Sequence, residues 1–479
     1  MNKTLKRILN IALLLVLLAA MLLPLTRLTA RKDSTVRFDA FFDHAGCYDV
    51  LFFGTSHVRD GVLPLELWET YGISAYNCAS SGASLPTTYW AMKNALEQAQ
   101  PELIVLDCCR IRYPEKSNDM SSLHDMMDPY PLTLTKLSAA MDLCDGEEQR
   151  GEMYELIFPF SVYHSRWDQL TEEDFSPQTN AANGATPKVN VAAPNDFSPS
   201  TRKAALDPAL PGVVYLEKII EECQSRGIQL LLTYLPYAAP PEDVEEANAV
   251  ADLAEKYGLH YINFFNEDLI DLDTDLFDAF SHLNPSGAQK VTAYLGEYIS
   301  RHYSVSDRRG NSAYAWMDQA LTNYRGYMQS LLEAERYLAG YLALLHDASY
   351  TPVIHIPAGS PVYGSELSLK LIENIPLEEK PALLRQAAES GAEYLLVVDS
   401  AAGKIHEFVG EMPKELICSL GRLSFEKGRL CLDGAEYAPV APGDTDTALD
   451  CFVFDSASGL HLDIDRSFTL GGEGFVVAY

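Results

Sequence analysis

Cysteine is scarce, nine in 479 residues. The number is odd, no C-x-x-C pair occurs and no Cys/His cluster has zinc spacing, so neither a disulfide scaffold nor a structural metal site is indicated. The adjacent Cys108 and Cys109 read as small apolar residues near a buried strand end. Positive charge is scarce as well: 36 Lys and Arg stand against 67 Asp and Glu, a formal charge of −31. So acidic a surface repels a polyphosphate, and nucleic acid is not an expected partner. Apolar content is not lacking. With 47% hydrophobic and 10% aromatic residues over a length near three times the usual domain of roughly 150, wholesale disorder is excluded.

Lys3, Lys6 and Arg7 precede an apolar run from Ile8 to Leu25 whose only polar residue is Asn10. Its length is close to the roughly 20 residues that span a bilayer, so the segment is inserted or translocated. At the one plausible cleavage point, Leu28-Thr29-Ala30, Leu holds the −3 position, and Arg27, Arg31 and Lys32 crowd the site. An uncleaved signal-anchor over residues 1–32 is therefore expected. With its basic end inside, the chain is a single-pass cell-membrane protein whose body is extracytoplasmic. Some disulfides could form there, but the spacing does not fix their pairing.

After the anchor, mostly apolar runs alternate with helical patterns. Asp49–Phe53, Ile73–Tyr76, Leu103–Leu106, Gln229–Tyr234 and His260–Phe264 read as buried strands, and Thr87–Gln100, Val213–Arg226, Asp243–Tyr257 and Ser286–His302 as helices. Gly227 and Gly258 stop two of them. The alternation predicts a three-layer α/β domain with a parallel sheet over residues 33–303. An insert is expected at about 113–210, where the pattern weakens. Within it Pro177–Pro199, rich in Ala, Asn and Pro, reads as a long surface loop able to cover a site. A second boundary falls at Ser304–Ser312. Beyond it come a long helical pattern from Tyr314 to about His346 and several short strands, a C-terminal α+β domain over 313–479.

Three segments converge on the carboxyl edge of that sheet, where open parallel sheets bind ligands. Gly54-Thr55-Ser56-His57 follows the first strand, and Asn77-Cys78-Ala79-Ser80-Ser81-Gly82 follows the second. A glycine there lets a backbone N–H point at a developing oxyanion. Asp278-Ala279-Phe280-Ser281-His282-Leu283-Asn284-Pro285-Ser286-Gly287 precedes the last helix, which Ser286 can cap. A base for a serine must lie within hydrogen-bond reach and be oriented by a carboxylate, and His282 has carboxylates shortly before it. Each segment alone is equally an ordinary turn.

Together and in order, these blocks resemble the SGNH (GDSL-type) hydrolase superfamily over about residues 45–303. The anchor and the segments Phe158-Pro159-Phe160 and Tyr163-His164-Ser165-Arg166-Trp167 resemble, more narrowly, its membrane-anchored bacterial members, related to the D-alanyl-lipoteichoic acid transfer protein and polysaccharide O-acetylation factors. The resemblance implies a flavodoxin-like sheet, Ser56 as nucleophile, His282 as general base, and the Ser56 and Gly82 N–H groups as oxyanion hole. Two departures stand out. The family's acid lies three residues before the histidine, where this chain has Ala279; the nearest acids are Asp278 at four and Asp275 at seven, leaving a triad through either or a Ser56–His282 dyad. A turn at Ala279-Phe280, with Phe280 anchored in the core, would bring Asp278 to the ring. The family's Asn after the third strand is missing, since Asp107-Cys108-Cys109-Arg110 follows Leu106. His57, Asn77, Arg110, His164 and Arg166 are candidate substrate contacts; His57 also reads as a locally packed loop residue, and the His164–Trp167 block as docking for the insert.

Farther on, Glu393–Ser400, Leu432–Tyr437 and Asp450–Asp455 resemble lectin-type ILEI/PANDER-like modules, although Asp465-Arg466-Ser467-Phe468-Thr469 lacks their acid after Phe; a generic β-rich accessory domain is the alternative. The expectation is an extracytoplasmic serine esterase or O-acyltransferase that acts on acyl groups of a cell-envelope glycopolymer. No metal or organic cofactor is implied, and a membrane-bound acyltransferase is a candidate partner. The alternative is a catalytically silent SGNH-fold scaffold or carbohydrate-binding assembly protein of the envelope.

Overall fold

A computed structural model describes residues 3–30, 32–116, 119–175, 180–280, 282–439, 447–472 and 474–478. The chain opens with α1 (Lys3–Thr29) and α2 (Lys32–His44). Among the described residues α1 is the one helix long and apolar enough to cross a membrane, and its apolar side chains are exposed. Arg31 lies outside the described residues.

Five parallel strands follow: β1 (Val50–Phe53), β2 (Ala75–Asn77), β3 (Leu103–Asp107), β4 (Gln229–Tyr234) and β5 (His260–Asn263). They lie in the order β2-β1-β3-β4-β5, the flavodoxin-like arrangement whose switch point falls between β1 and β3. The apolar runs VLFF and LIVLD are buried throughout because helices cover both faces. Those helices are α3 (Ser56–Gly61), α4 (Pro64–Tyr71) and α5 (Leu85–Ala95) early in the domain.

The insert holds α6 (Met120–Met127), α7 (Leu134–Leu143), α8 (Glu147–Ile157), α9 (Phe160–Tyr163), a 3-10 turn at His164–Asp168 and α10 (Glu172–Phe175). The sheet is completed by α11 (Pro211–Arg226), α12 (Pro241–Tyr257) and α13 (Pro285–His302), the first two ending on the left-handed Gly227 and Gly258 as their sequences demand.

The expected surface loop at Pro177–Pro199 is corrected in part; its residues 177–179 lie outside the described ones. Ala182–Ala185 are buried against the edge of the sheet, where Asn183 O accepts from Asn77 N at 3.0 Å. Farther along, Ala192 N donates to Leu276 O and Asn195 N to Ala279 O, both at 3.1 Å. The loop therefore straps the segment that carries Asp278. Its polar composition hid this, because the backbone supplies most of these contacts.

The C-terminal part begins with α14 (Ala315–Ala334) and α15 (Leu338–Leu344), so the long helical pattern is broken where Glu335 turns extended. Then come β6 (Tyr350–Ile356), α16 (Glu366–Glu373), α17 (Leu384–Ser390), β7 (Tyr394–Asp399) and β8 (Lys404–Val409). The remaining strands are β9 (Leu416–Cys418), β10 (Gly421–Glu426), β11 (Arg429–Leu432), β12 (Ala435–Tyr437), β13 (Thr447–Asp455), β14 (Arg466–Gly471) and β15 (Gly474–Val477). They form two antiparallel sheets, β15-β14-β13-β6-β7-β8 and β12-β11-β10-β9. Polar side chains tie this part to the parallel-sheet part: Tyr324 donates to Glu66 at 2.8 Å and Trp68 Nε1 to Asp318 at 3.1 Å. All nine cysteines are unpaired.

Candidate active site

At the end of β1 the chain turns sharply through Gly54, whose φ of +154° and contacts leave no room for a side chain: a Cβ would stand 2.8 Å from Cβ of Asp107 and 2.7 Å from Val58. Thr55 then caps α3, its hydroxyl accepting from His57 N at 3.2 Å, and Ser56 is the first helical residue. Its N–H is one of those that a helix leaves without an internal partner. The loop after β2 is fastened alongside, with Ser80 N donating to Gly54 O at 3.2 Å. Gly82, at φ +64°, ends that loop, and its carbonyl accepts from Arg110 Nη1 at 3.3 Å.

His282 reaches Ser56 from the other end of the domain, its Nε2 lying 2.8 Å from Ser56 Oγ. Nδ1 is hydrogen-bonded to Oδ2 of Asp278. A carboxylate only accepts, so Nδ1 carries the proton and Nε2 is left as acceptor for the serine O–H. The four-residue spacing is absorbed by a tight hairpin in which Leu276 bridges Leu283, Phe277 N donates to His282 O at 2.9 Å and Oδ1 of Asp278 accepts from Phe280 N at 3.0 Å. The carboxylate thus folds its own loop. Phe280 is 60% exposed, which corrects the expectation that it anchors the turn in the core; Ser281 lies outside the described residues.

Asp275 has a different position. It is fully buried and accepts from Ser286 Oγ and Lys290 Nζ, each at 2.7 Å, and from Asn374 Nδ2 of the C-terminal part at 3.1 Å. It joins α13 to that part. Ser286 is consequently not the helix cap: Asn284 is, accepting from Gly287 N at 3.2 Å.

Among the candidate substrate contacts, Asn77 is fully buried, donating to Val58 O at 2.8 Å and Val62 O at 3.0 Å and accepting from Ala79 N. This corrects its assignment: the side chain clamps α3, and its polar atoms are spent doing so. His57 packs against Tyr237, ring centroids 4.5 Å apart, and lies 5.9 Å from the His282 ring. Burial, then the neighbouring His282, lowers it to about 3, so it stays neutral. The Arg110 guanidinium lies 4.2 Å above the Tyr113 ring beside the Gly82 loop. His164 and Arg166 are placed at the end of α1 instead: Arg166 Nη1 donates to Thr29 O at 2.8 Å, and His164 Nδ1 lies 2.9 Å from Ser161 O. Arg166 docks the insert on α1, while His164 bonds within the insert.

Sequence reasoning missed Asp60. It is buried, held by Arg59 Nε at 2.6 Å, and its Oδ2 lies 3.9 Å from His282 Nε2. The available signal was its position one helical turn after Ser56. Arg37 of α2 was missed too; its buried guanidinium donates to Ala79 O and, at 2.7 Å, to Ser80 Oγ, holding the Gly82 loop from behind.

His57, Asp107 and Cys109 each offer one donor atom within 4.8 Å of the others, a mixed N, O, S set. Burial pushes Asp107 up to about 7 and the Cys109 thiol up as well, so the group favours its uncharged forms. Asp107 ends β3, and its Oδ1 accepts from Leu235 N at 2.9 Å, which braces the end of β4.

No protein-family profile and no curated protein matches the chain. Solved structures similar to it include a Bacteroides fragilis protein provisionally assigned as an acylhydrolase, 10% identical at a TM-score of 0.30, covering 57% of this chain and 98% of that one. A GDSL-like lipase from Bacteroides thetaiotaomicron is 10% identical at 0.28, covering 57% and 99%. An acetyl xylan esterase from the rumen bacterium Butyrivibrio proteoclasticus is 9% identical at 0.22, covering 53% and 64%. Likeness at this level assigns the chain to no family; the site stands on its own side-chain geometry.

Proposed function

We propose that the protein is a serine esterase or O-acyltransferase of the SGNH type, anchored by α1 and acting outside the cytoplasmic membrane on acyl groups of a cell-envelope glycopolymer. The hydrogen-bonded series Ser56–His282–Asp278 at the sheet's switch point carries this reading. In it, Ser56 Oγ attacks the ester carbonyl carbon as His282 Nε2 takes its proton, and Asp278 stabilises the imidazolium. The tetrahedral oxyanion is received by the N–H groups of Ser56 and Gly82. Collapse breaks the ester C–O bond, the leaving alcohol takes the proton from His282, and the acyl group remains on Ser56. Water or a sugar hydroxyl then attacks the acyl-enzyme, with His282 as base, and frees the serine.

One oxyanion donor of the family, its Asn after the third strand, is missing from this sequence, and removing such a donor typically costs about a hundred- to a thousandfold in rate. Slow hydrolysis beside transfer fits that loss. Arg110, next to the Gly82 loop, is a group suited to an anionic part of the substrate. The test is turnover of p-nitrophenyl acetate by the purified chain, with and without polysaccharide acceptors. Turnover that Ser56→Ala abolishes supports the reading; no turnover and no acyl-Ser56 would favour the scaffold.

A further inference from the structure

We infer that the insert segment Phe158–Phe175 is a second membrane contact, seated in the outer headgroup layer around the end of α1; this rests on the proposed anchoring by α1. Depth follows from the helix. The eighteen-residue apolar run Ile8–Leu25 is about 27 Å long at about 1.5 Å per residue, near the roughly 30 Å of a hydrocarbon core, so Thr26–Ala30 falls at headgroup level. One side chain fixes the insert there. Arg166 donates through Nη1 to Thr29 O at 2.8 Å and Ala30 O at 2.5 Å, carbonyls that the last helical turn leaves open, and pairs through Nη2 with Asp174 at 3.2 Å.

Large aromatics of this segment stay exposed, two of them directly beside the fork. Trp167, after Arg166, is 72% exposed; Phe175, after Asp174, is 69% exposed; Phe158, at the start of the segment, is 38% exposed. α9, the 3-10 turn and α10 all pack against α1. Aromatic rings at headgroup level are the ordinary membrane-interface belt, apolar in body and tolerant of water at one edge. A chain carrying −31 overall gains nothing from anionic headgroups, so an apolar contact is the kind of attachment open to it. Two attachments rather than one restrict how the body tilts. The link to the site is short, because α2 follows α1 and its Arg37 holds the Ala79–Ser80 stretch of the Gly82 loop.

The experiment uses the full chain in vesicles of phosphatidylcholine and phosphatidylglycerol, with and without bromine on the upper acyl chain, and reads tryptophan fluorescence for wild type and Trp167→Phe. Co-flotation with the vesicles is scored in the same samples. The inference predicts that the brominated lipid quenches wild type and that Trp167→Phe, equally membrane-bound, loses most of that quenching. A chain that floats but is not quenched, or is quenched equally in both forms, overturns the second contact and leaves the anchor standing. A chain that does not float overturns both.

Discussion

Ser56 Oγ and His282 Nε2 stand 2.8 Å apart although 226 residues separate them in the chain. The turn after β1 and the hairpin before α13 bring them together, and both are fixed by backbone and buried side-chain bonds rather than by each other. Removing either partner should therefore leave the other in place. Ser56→Ala and His282→Ala are each expected to abolish nearly all ester turnover, and the double variant to be little slower than either alone, because a catalytic unit is strongly non-additive. Steady-state rates with p-nitrophenyl acetate check this; independent, multiplying losses would separate the two residues' roles.

Asp278→Asn should lower kcat by about a hundredfold or more, since the amide no longer holds the imidazole tautomer or stabilises its cation. Asp275→Asn should act differently. It leaves Lys290 beside a neutral group and loosens the joint with Asn374, so the melting temperature falls while the rate at low temperature holds. Rates and melting curves measured side by side distinguish the two aspartates.

Asn77→Ala leaves the buried carbonyls of Val58 and Val62 without their donor, at a cost of about 1–3 kcal/mol. The melting temperature should drop accordingly. KM for a small ester should hold, because the side chain faces α3 and not the ligand; a raised KM at unchanged stability would restore it as a substrate contact.

Burial holds the carboxyls of Asp107 and Glu246 up at about 7, with the neighbouring Asp243 adding to the rise at Glu246. The folded chain binds these protons where the unfolded chain has lost them, so the stability they lend is full below about pH 4 and is lost as pH rises toward about 7. Melting temperature against pH should therefore fall more gently across that window in Asp107→Asn, Glu246→Gln than in wild type. Parallel curves would remove these groups from the account.

The parallel sheet was legible because its strands are apolar runs buried on both faces and two of its helices carry glycine stops. Ser56 and His282 were legible because each follows a recognisable strand or precedes a recognisable helix. The bend that brings Asp278 back was expected, but not what makes it: a carboxylate bonding its own backbone replaces the buried aromatic that Phe280 suggested. Asn77 looked like a ligand residue because a polar residue at a strand end has two uses, and only its buried contacts choose between them. The insert's short helices and the strap from Ala182 to Asn195 escaped periodicity altogether, being too short or held through backbone groups.

The central claim, that Ser56 is a nucleophile activated by His282, is tested most directly by incubating the full chain with a fluorophosphonate probe and locating the adduct by peptide mass spectrometry. The account predicts one adduct on Ser56, absent in Ser56→Ala and strongly slowed in His282→Ala. An unlabelled wild-type chain, or labelling of Ser56 at the same rate without His282, would contradict it.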